Sequence, residues 1–310
     1  MISFLYFFLP VLGGYTLTSV YLLKNPQILH RKKRPAFYCK KISHRGGSGE
    51  RIESTMEAFT HAAEQGTEML EMDCHLTHDG YVVVSHDENL LRQTGHDVTI
   101  SSLNLQDLPL YKERLEVTFY EGRYSTGKDR KFALLEDVFK KFPEMPISIE
   151  IKENNHQLIK KVSDLVKRYN REGITVWAST DSTIMKECWK MNGSMPYSFS
   201  MSRGLLLLLL FYTGLLPFVP IGESLLQFYL MSIFNSLCFI LNLLLSCCNC
   251  RITMRKSLFR HLAARGIQVH LFVCNTEEDI EAAFEVGATG VMSDYPTLLS
   301  SYFCKNRSQD

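Results

Sequence analysis

Two charged pairs in this chain sit two positions apart on otherwise apolar runs, a spacing that sends both members of a pair to the same face of a β-strand. Glu71 and Asp73 alternate with Leu70, Met72 and Cys74; Glu150 and Lys152 alternate with Ile149 and Ile151. Two inward carboxylates are costly unless a cation neutralises them, so Glu71 and Asp73 are candidate ligands of a divalent ion. Leu70, Met72 and Cys74 would then claim the helix-facing side. Glu150 reads either as the internal partner of Lys152 or as a third oxygen ligand, with Lys152 meeting a substrate phosphate. Upstream, His44 and Arg45 are followed by Gly46, Gly47, Ser48 and Gly49. An imidazole and a guanidinium on such a turn suit an acid/base beside a phosphate binder, although the triplet also makes an ordinary structural loop. His86 and Asp87 close another apolar run, 81–85.

The elements that position these residues follow from periodicity. Short β-rich runs at 42–45, 69–76, 81–86, 147–152, 175–179, 197–201, 269–274 and 290–294 alternate with amphipathic helical patterns. Helices are expected at 54–65, opening with a Ser54/Glu57 capping box, and at 134–142, 156–170, 257–265 and 277–286. Eight strands with intervening helices predict an α/β protein, a (β/α)8 TIM barrel, whose catalytic groups lie at the C-terminal ends of the strands. Residues 88–133 fit neither pattern and read as an insertion above the barrel mouth.

Lys plus Arg (34) nearly balances Asp plus Glu (33), which removes the electrostatic footprint of a nucleic-acid binder. Nine cysteines, an odd number without framework spacing, argue against a disulfide scaffold. Cys247, Cys248 and Cys250 are too tightly spaced for a zinc finger and lie beside an apolar run, where palmitoylation is the alternative. Residues 2–23 are almost wholly apolar, so residues 1–24 read as an uncleaved N-terminal transmembrane anchor. The basic residues Lys24, Arg31, Lys32, Lys33, Arg34, Lys40 and Lys41 follow it and place the next domain in the cytosol by the positive-inside rule. Sequons at Asn192 and Asn306 would be idle there. A second apolar stretch, 204–248, is broken by Pro217, Pro220 and Gly222 and reads as a membrane-associated insert between the sixth and seventh strands. The barrel domain accordingly spans 40–302.

Taken in order, His44-Arg45-Gly46, Glu53-Ser54-Thr55, Glu71-x-Asp73, His86-Asp87, Glu150-x-Lys152 and Gly290-Val291-Met292-Ser293-Asp294-Tyr295-Pro296 resemble the glycerophosphodiester phosphodiesterase family over about residues 41–300. The leading apolar helix and late apolar insert are similar to its membrane-bound vertebrate lysophospholipase D branch. The resemblance implies His44 as general base and His86 as general acid or metal ligand. It makes Glu71, Asp73 and Glu150 ligands of Ca²⁺ or Mg²⁺, and Arg45 and Lys152 phosphate binders. It implies release of the head-group alcohol from a lysophospholipid, or cleavage of a soluble glycerophosphodiester such as glycerophosphocholine. The expected setting is a bilayer of the endoplasmic reticulum and perinuclear membranes, with no obligate protein partner. Where many members carry Trp on the seventh strand this chain has Phe272. A non-catalytic lipid-binding scaffold is the alternative of another class, but the retention of His44, Glu71, Asp73 and His86 weighs against it.

Overall fold

A computed structural model describes residues 2–230 and 252–307. Its centre is a ring of parallel strands: β1 (Lys41–Ser43), β2 (Met69–Leu76), β7 (Ile147–Glu150), β8 (Thr175–Ala178), β9 (Leu225–Tyr229), β10 (Gln268–Phe272) and β11 (Gly290–Ser293). Between β8 and β9 the ring is closed by Tyr197 and Ser198, which bridge Trp177 and Leu225 respectively. That makes eight staves, a TIM-barrel-like α/β fold. Inside the ring, Ile42, Met69, Val176, Leu225 and Met292 plug the lower end. Outside it, Leu70, Met72 and Cys74 pack against helices, as their alternation with the acids requires.

Two expectations are corrected. The run 81–86 is not a stave: within it β3 (Val82–Val84) pairs antiparallel with the end of β2, Cys74 opposite Val84, and pairs on its other side with β6 (Ala133–Leu134). The missing stave is β9, which lies inside the stretch read as a membrane insert. That stretch also contains most of α7 (Met201–Tyr212), a helix packed on the barrel through the buried Leu207. Parallel strands buried on both faces read as unbroken apolar runs, so β9 is indistinguishable by hydropathy from a lipid-facing segment. Residues 231–251, with Cys247, Cys248 and Cys250, lie outside the described residues.

The anchor expectation changes as well. Residues Ile2–Lys24 do form a helix, α1, but among the described residues no helix is long and apolar enough to cross a membrane. The second half of α1 is docked on the barrel. Ser19 and Leu22 are buried, Ser19 Oγ donates to Gly214 O at 2.7 Å, and the His261 ring bonds Leu23 O at 2.8 Å.

The first barrel helix, α2 (Met56–Glu64), is capped by Thr55, whose hydroxyl accepts the Ala58 N–H at 3.2 Å. The predicted capping box does not form. Ser54 has a left-handed backbone, φ +59°, and Glu57 accepts instead from Lys128 N and Asp129 N. The insertion 88–133 contains a hairpin of β4 (Arg114–Glu116) and β5 (Tyr124–Thr126) and its own core of Leu90, Ile100, Tyr111 and Phe132.

Candidate active site

The turn His44–Gly46 leaves β1 at the C-terminal end of the barrel. Its backbone is left-handed at Arg45 (φ +50°), Gly46 (+78°) and Gly47 (+93°), and a Cβ on Gly47 would come within 2.5 Å of the Pro296 ring. Only glycine tolerates both the angle and the contact, so this turn lies flat against the barrel top. His44 is buried, and its Nδ1 lies 2.7 Å from Asp294 Oδ1. A carboxylate only accepts, so Nδ1 carries the proton and Nε2 is left for chemistry. Asp294 also accepts from the Ser48 hydroxyl and from Asn275 Nδ2. Burial opposes protonation of His44, but the Asp294 charge and hydrogen bond outweigh it and the pKa is raised.

Glu71 and Asp73 project from β2, and Glu150 from β7 stands in register with Asp73. The three can each offer an oxygen within 4.8 Å of the others. Lys152 Nζ pairs with Asp73 Oδ1 at 2.7 Å rather than with Glu150, whereas Asp73 Oδ2 is buried with no hydrogen-bond partner among the described residues. Burial and the neighbouring Asp73 charge raise the Glu71 pKa and push Glu150 up to about 7. Burial acts the same way on Asp73, but Lys152, His86 and Arg45 overcome it and hold that carboxyl low. Crowded carboxylates that lose charge to escape one another, beside an unpartnered buried oxygen, fit a hard divalent cation. Glu71, Asp73 and Glu150 are the residues that could hold it. His86 is not in this oxygen cluster: its Nδ1 is 2.5 Å from Asp87 Oδ1, and burial leads the lowering of its pKa.

Arg45 is also buried, and its surroundings modify the phosphate-binding expectation. Its backbone N–H donates to Glu71 Oε2 at 2.9 Å, while Nη1 donates to Glu53 Oε2 at 3.2 Å and Thr118 Oγ1 at 3.1 Å. Its Nε is buried without a hydrogen-bond partner among the described residues. Farther along β2, His75 Nδ1 lies 2.5 Å from Glu153 Oε1 and 3.1 Å from Glu88 Oε2. Burial disfavours the charged ring, but the hydrogen bonds and charges of the two carboxylates raise its pKa to about 9.

The insertion reaches the same mouth. Phe119 sits 5.7 Å from the His44 ring and 5.9 Å from Tyr229, which lies 4.3 Å from Phe272. A polar cavity beneath is lined by His44, Glu71, Glu150, Ser198, Gln227 and Phe272, among others. Sequence reasoning gave no role to Asp294, Glu53, Thr118 or Phe119. Asp294 and Glu53 lay within quoted motifs, but nothing in the motifs pairs them with His44 and Arg45. Nothing in the local sequence marks Thr118 or Phe119, because the tertiary fold of the insertion brings Thr118 to Arg45 and Phe119 to His44.

The chain matches the glycerophosphoryl diester phosphodiesterase family over residues 44–298. A human lysophospholipase D is 49% identical over 303 residues, covering 96% of this chain and 95% of the relative. A second human lysophospholipase D is 50% identical over 310 residues, 96% of each. Among solved structures, a phosphodiesterase from Oleispira antarctica in complex with the product sn-glycerol-3-phosphate shares the fold at a TM-score of 0.61 and 19% identity, over 87% of this chain and 98% of that one. A glycerophosphodiester phosphodiesterase from Thermotoga maritima does so at 0.58 and 22%, over 86% and 99%.

Proposed function

This chain belongs to the glycerophosphoryl diester phosphodiesterase family, and from that membership we propose that it is a lysophospholipase D, a phosphoric diester hydrolase that releases the head-group alcohol from lysophospholipids. The observation that carries the reading is the cluster of Glu71, Asp73 and Glu150 beside an imidazole whose free nitrogen is fixed by Asp294. Bound by those carboxylates, Ca²⁺ or Mg²⁺ would supply Lewis-acid polarisation of a non-bridging phosphate oxygen. Lys152 and Arg45 add positive charge where the phosphoryl oxygens become more negative. His44 and His86 form the acid/base pair. One removes the proton from the attacking hydroxyl; the other donates a proton to the departing choline or ethanolamine oxygen as its bond to phosphorus breaks. When the attacker is water, the product is lysophosphatidic acid. When it is the substrate's own glycerol hydroxyl, the product is cyclic phosphatidic acid, which water can then open.

The working surface is a bilayer. Leu9, Val11, Leu17 and Tyr21 of α1 and Leu205, Leu209 and Tyr212 of α7 are all exposed, and Tyr15 of α1 stacks on Phe218 in the short turn that follows α7. The basic cluster after α1 suits the anionic cytoplasmic face of a membrane, with endoplasmic reticulum and perinuclear membranes as the proposed setting. Asn192 is buried and accepts from Ser194, which leaves no room for a glycan at that sequon.

The test is an assay of the full-length protein on lysophosphatidylcholine, with glycerophosphocholine in parallel, reading choline and lipid products by mass spectrometry. Choline release should require Mg²⁺ or Ca²⁺ and fall at least roughly 10²-fold in Glu71→Gln or Asp73→Asn. Fatty acid as the product, or turnover indifferent to chelator, would overturn the reading.

A further inference from the structure

Beside the polar cavity lies a second cavity of about 150 Å³, walled by α7, β9 and the helix α8 (Lys256–Ala264). The two meet across Thr180, Phe199, Gln227 and Phe272, which line both. Across that boundary the wall changes character. On one side stand Glu71 and Glu150; on the other no charged side chain lines the cavity among the described residues, and Leu207, Leu208, Leu226, Phe228 and Leu258 dominate. Gln227 is the hinge of the change, because its amide donates to Ser148 Oγ at 3.1 Å inside the barrel.

We propose that this apolar cavity holds the proximal part of the acyl chain of the substrate while the phosphodiester lies in the adjoining polar cavity. The inference rests on the lysophospholipase D reading and adds the determinant that separates a lipid from a soluble glycerophosphodiester. A volume of this size accommodates a ligand of about benzene size, so roughly six carbons fit within it. The rest of the chain has a way out along α7. A Cβ on Gly204 would meet nothing within 4 Å, and Leu205, next along the helix, is largely exposed. Leu208 stands one turn beyond Gly204 on the same helix face and lines the same space. Glycine is unfavourable inside a helix; here its missing side chain leaves the outlet open.

The experiment uses full-length protein and monomeric lysophosphatidylcholines whose acyl chains run from butanoyl to dodecanoyl. Each methylene buried is worth about fourfold in kcat/KM, so the rate should climb over roughly the first six carbons and then level off. Gly204→Phe fills the outlet and Leu208→Trp narrows the cavity one turn farther along α7. Each should cut the preference for octanoyl over butanoyl by about tenfold or more, with turnover of glycerophosphocholine normalising each preparation and thermal unfolding confirming its fold. A wild-type rate indifferent to chain length, or a slope unchanged in both variants, makes the cavity a packing void only and overturns the proposal. Cleavage of glycerophosphocholine without cleavage of any lysophosphatidylcholine would overturn the lysophospholipase D reading itself.

Discussion

Glu53 accepts hydrogen bonds from Arg45, Arg92 and Gln93 although it is almost wholly buried. A buried carboxylate holding two guanidinium groups cannot be removed without leaving uncompensated charge, so Glu53→Ala should lose about 3–5 kcal/mol in chemical denaturation. The pH dependence has a definite sign. Burial alone would raise the Glu53 pKa, but Arg45 and Arg92 bring it down to about 2 from 4.5. The stabilisation is therefore complete above pH 4.5 and fades as pH falls toward 2. The gap between wild type and Glu53→Gln should narrow across that window; a gap constant with pH would remove the ion pairs as its cause. At this scale the sequence is informative wherever strand alternation applies. Glu71, Asp73 and Glu150 converge because side chains two apart share a face. It is silent about Asp294 as the partner of His44, a contact 250 positions apart.

The turn after β1 is the element on which the proposed site depends most, since it carries both His44 and Arg45. Gly47→Ala would force a side chain into φ +93° and against Pro296. An expected cost of about 1–3 kcal/mol, read as a lower melting temperature, should come with a loss of turnover larger than that of an equally destabilised core variant. Equal losses would mean that the turn only stabilises. The same scale explains which elements were legible. Amphipathic helices such as α5 (His156–Arg168) declare themselves by period 3.6, and Asn155 caps this one through Gln157 N and Leu158 N. Strand direction leaves no such trace: Val82–Val84 reads alike whether its neighbour is parallel or antiparallel. In β9, the pattern Leu225-Leu226-Gln227-Phe228-Tyr229 is too apolar for alternation to show.

At the scale of the whole molecule, the proposed membrane contact has to fit a barrel with a docked N-terminal helix. Lys33, one of the basic residues after α1, is folded back to donate to Gly222 O and Glu223 O, so part of the charge cluster serves the barrel. The exposed faces of α1 and α7 remain as the apolar surface. Replacing Leu9 and Leu17 by Asp should shift the protein out of the microsomal membrane fraction by about tenfold per site, and protease should digest the barrel in intact microsomes. A membrane fraction unchanged by both substitutions would exclude α1 as the contact, and a protected barrel would reverse the sidedness. The short stave that closes the ring is tied on both flanks by backbone hydrogen bonds, Trp177 N to Pro196 O and Ser198 N to Trp177 O on one side, Ser224 N to Tyr197 O and Phe199 N to Leu225 O on the other. Phe199, the last residue so tied, lines both cavities, so the seam that completes the cylinder also fixes the partition between head group and tail.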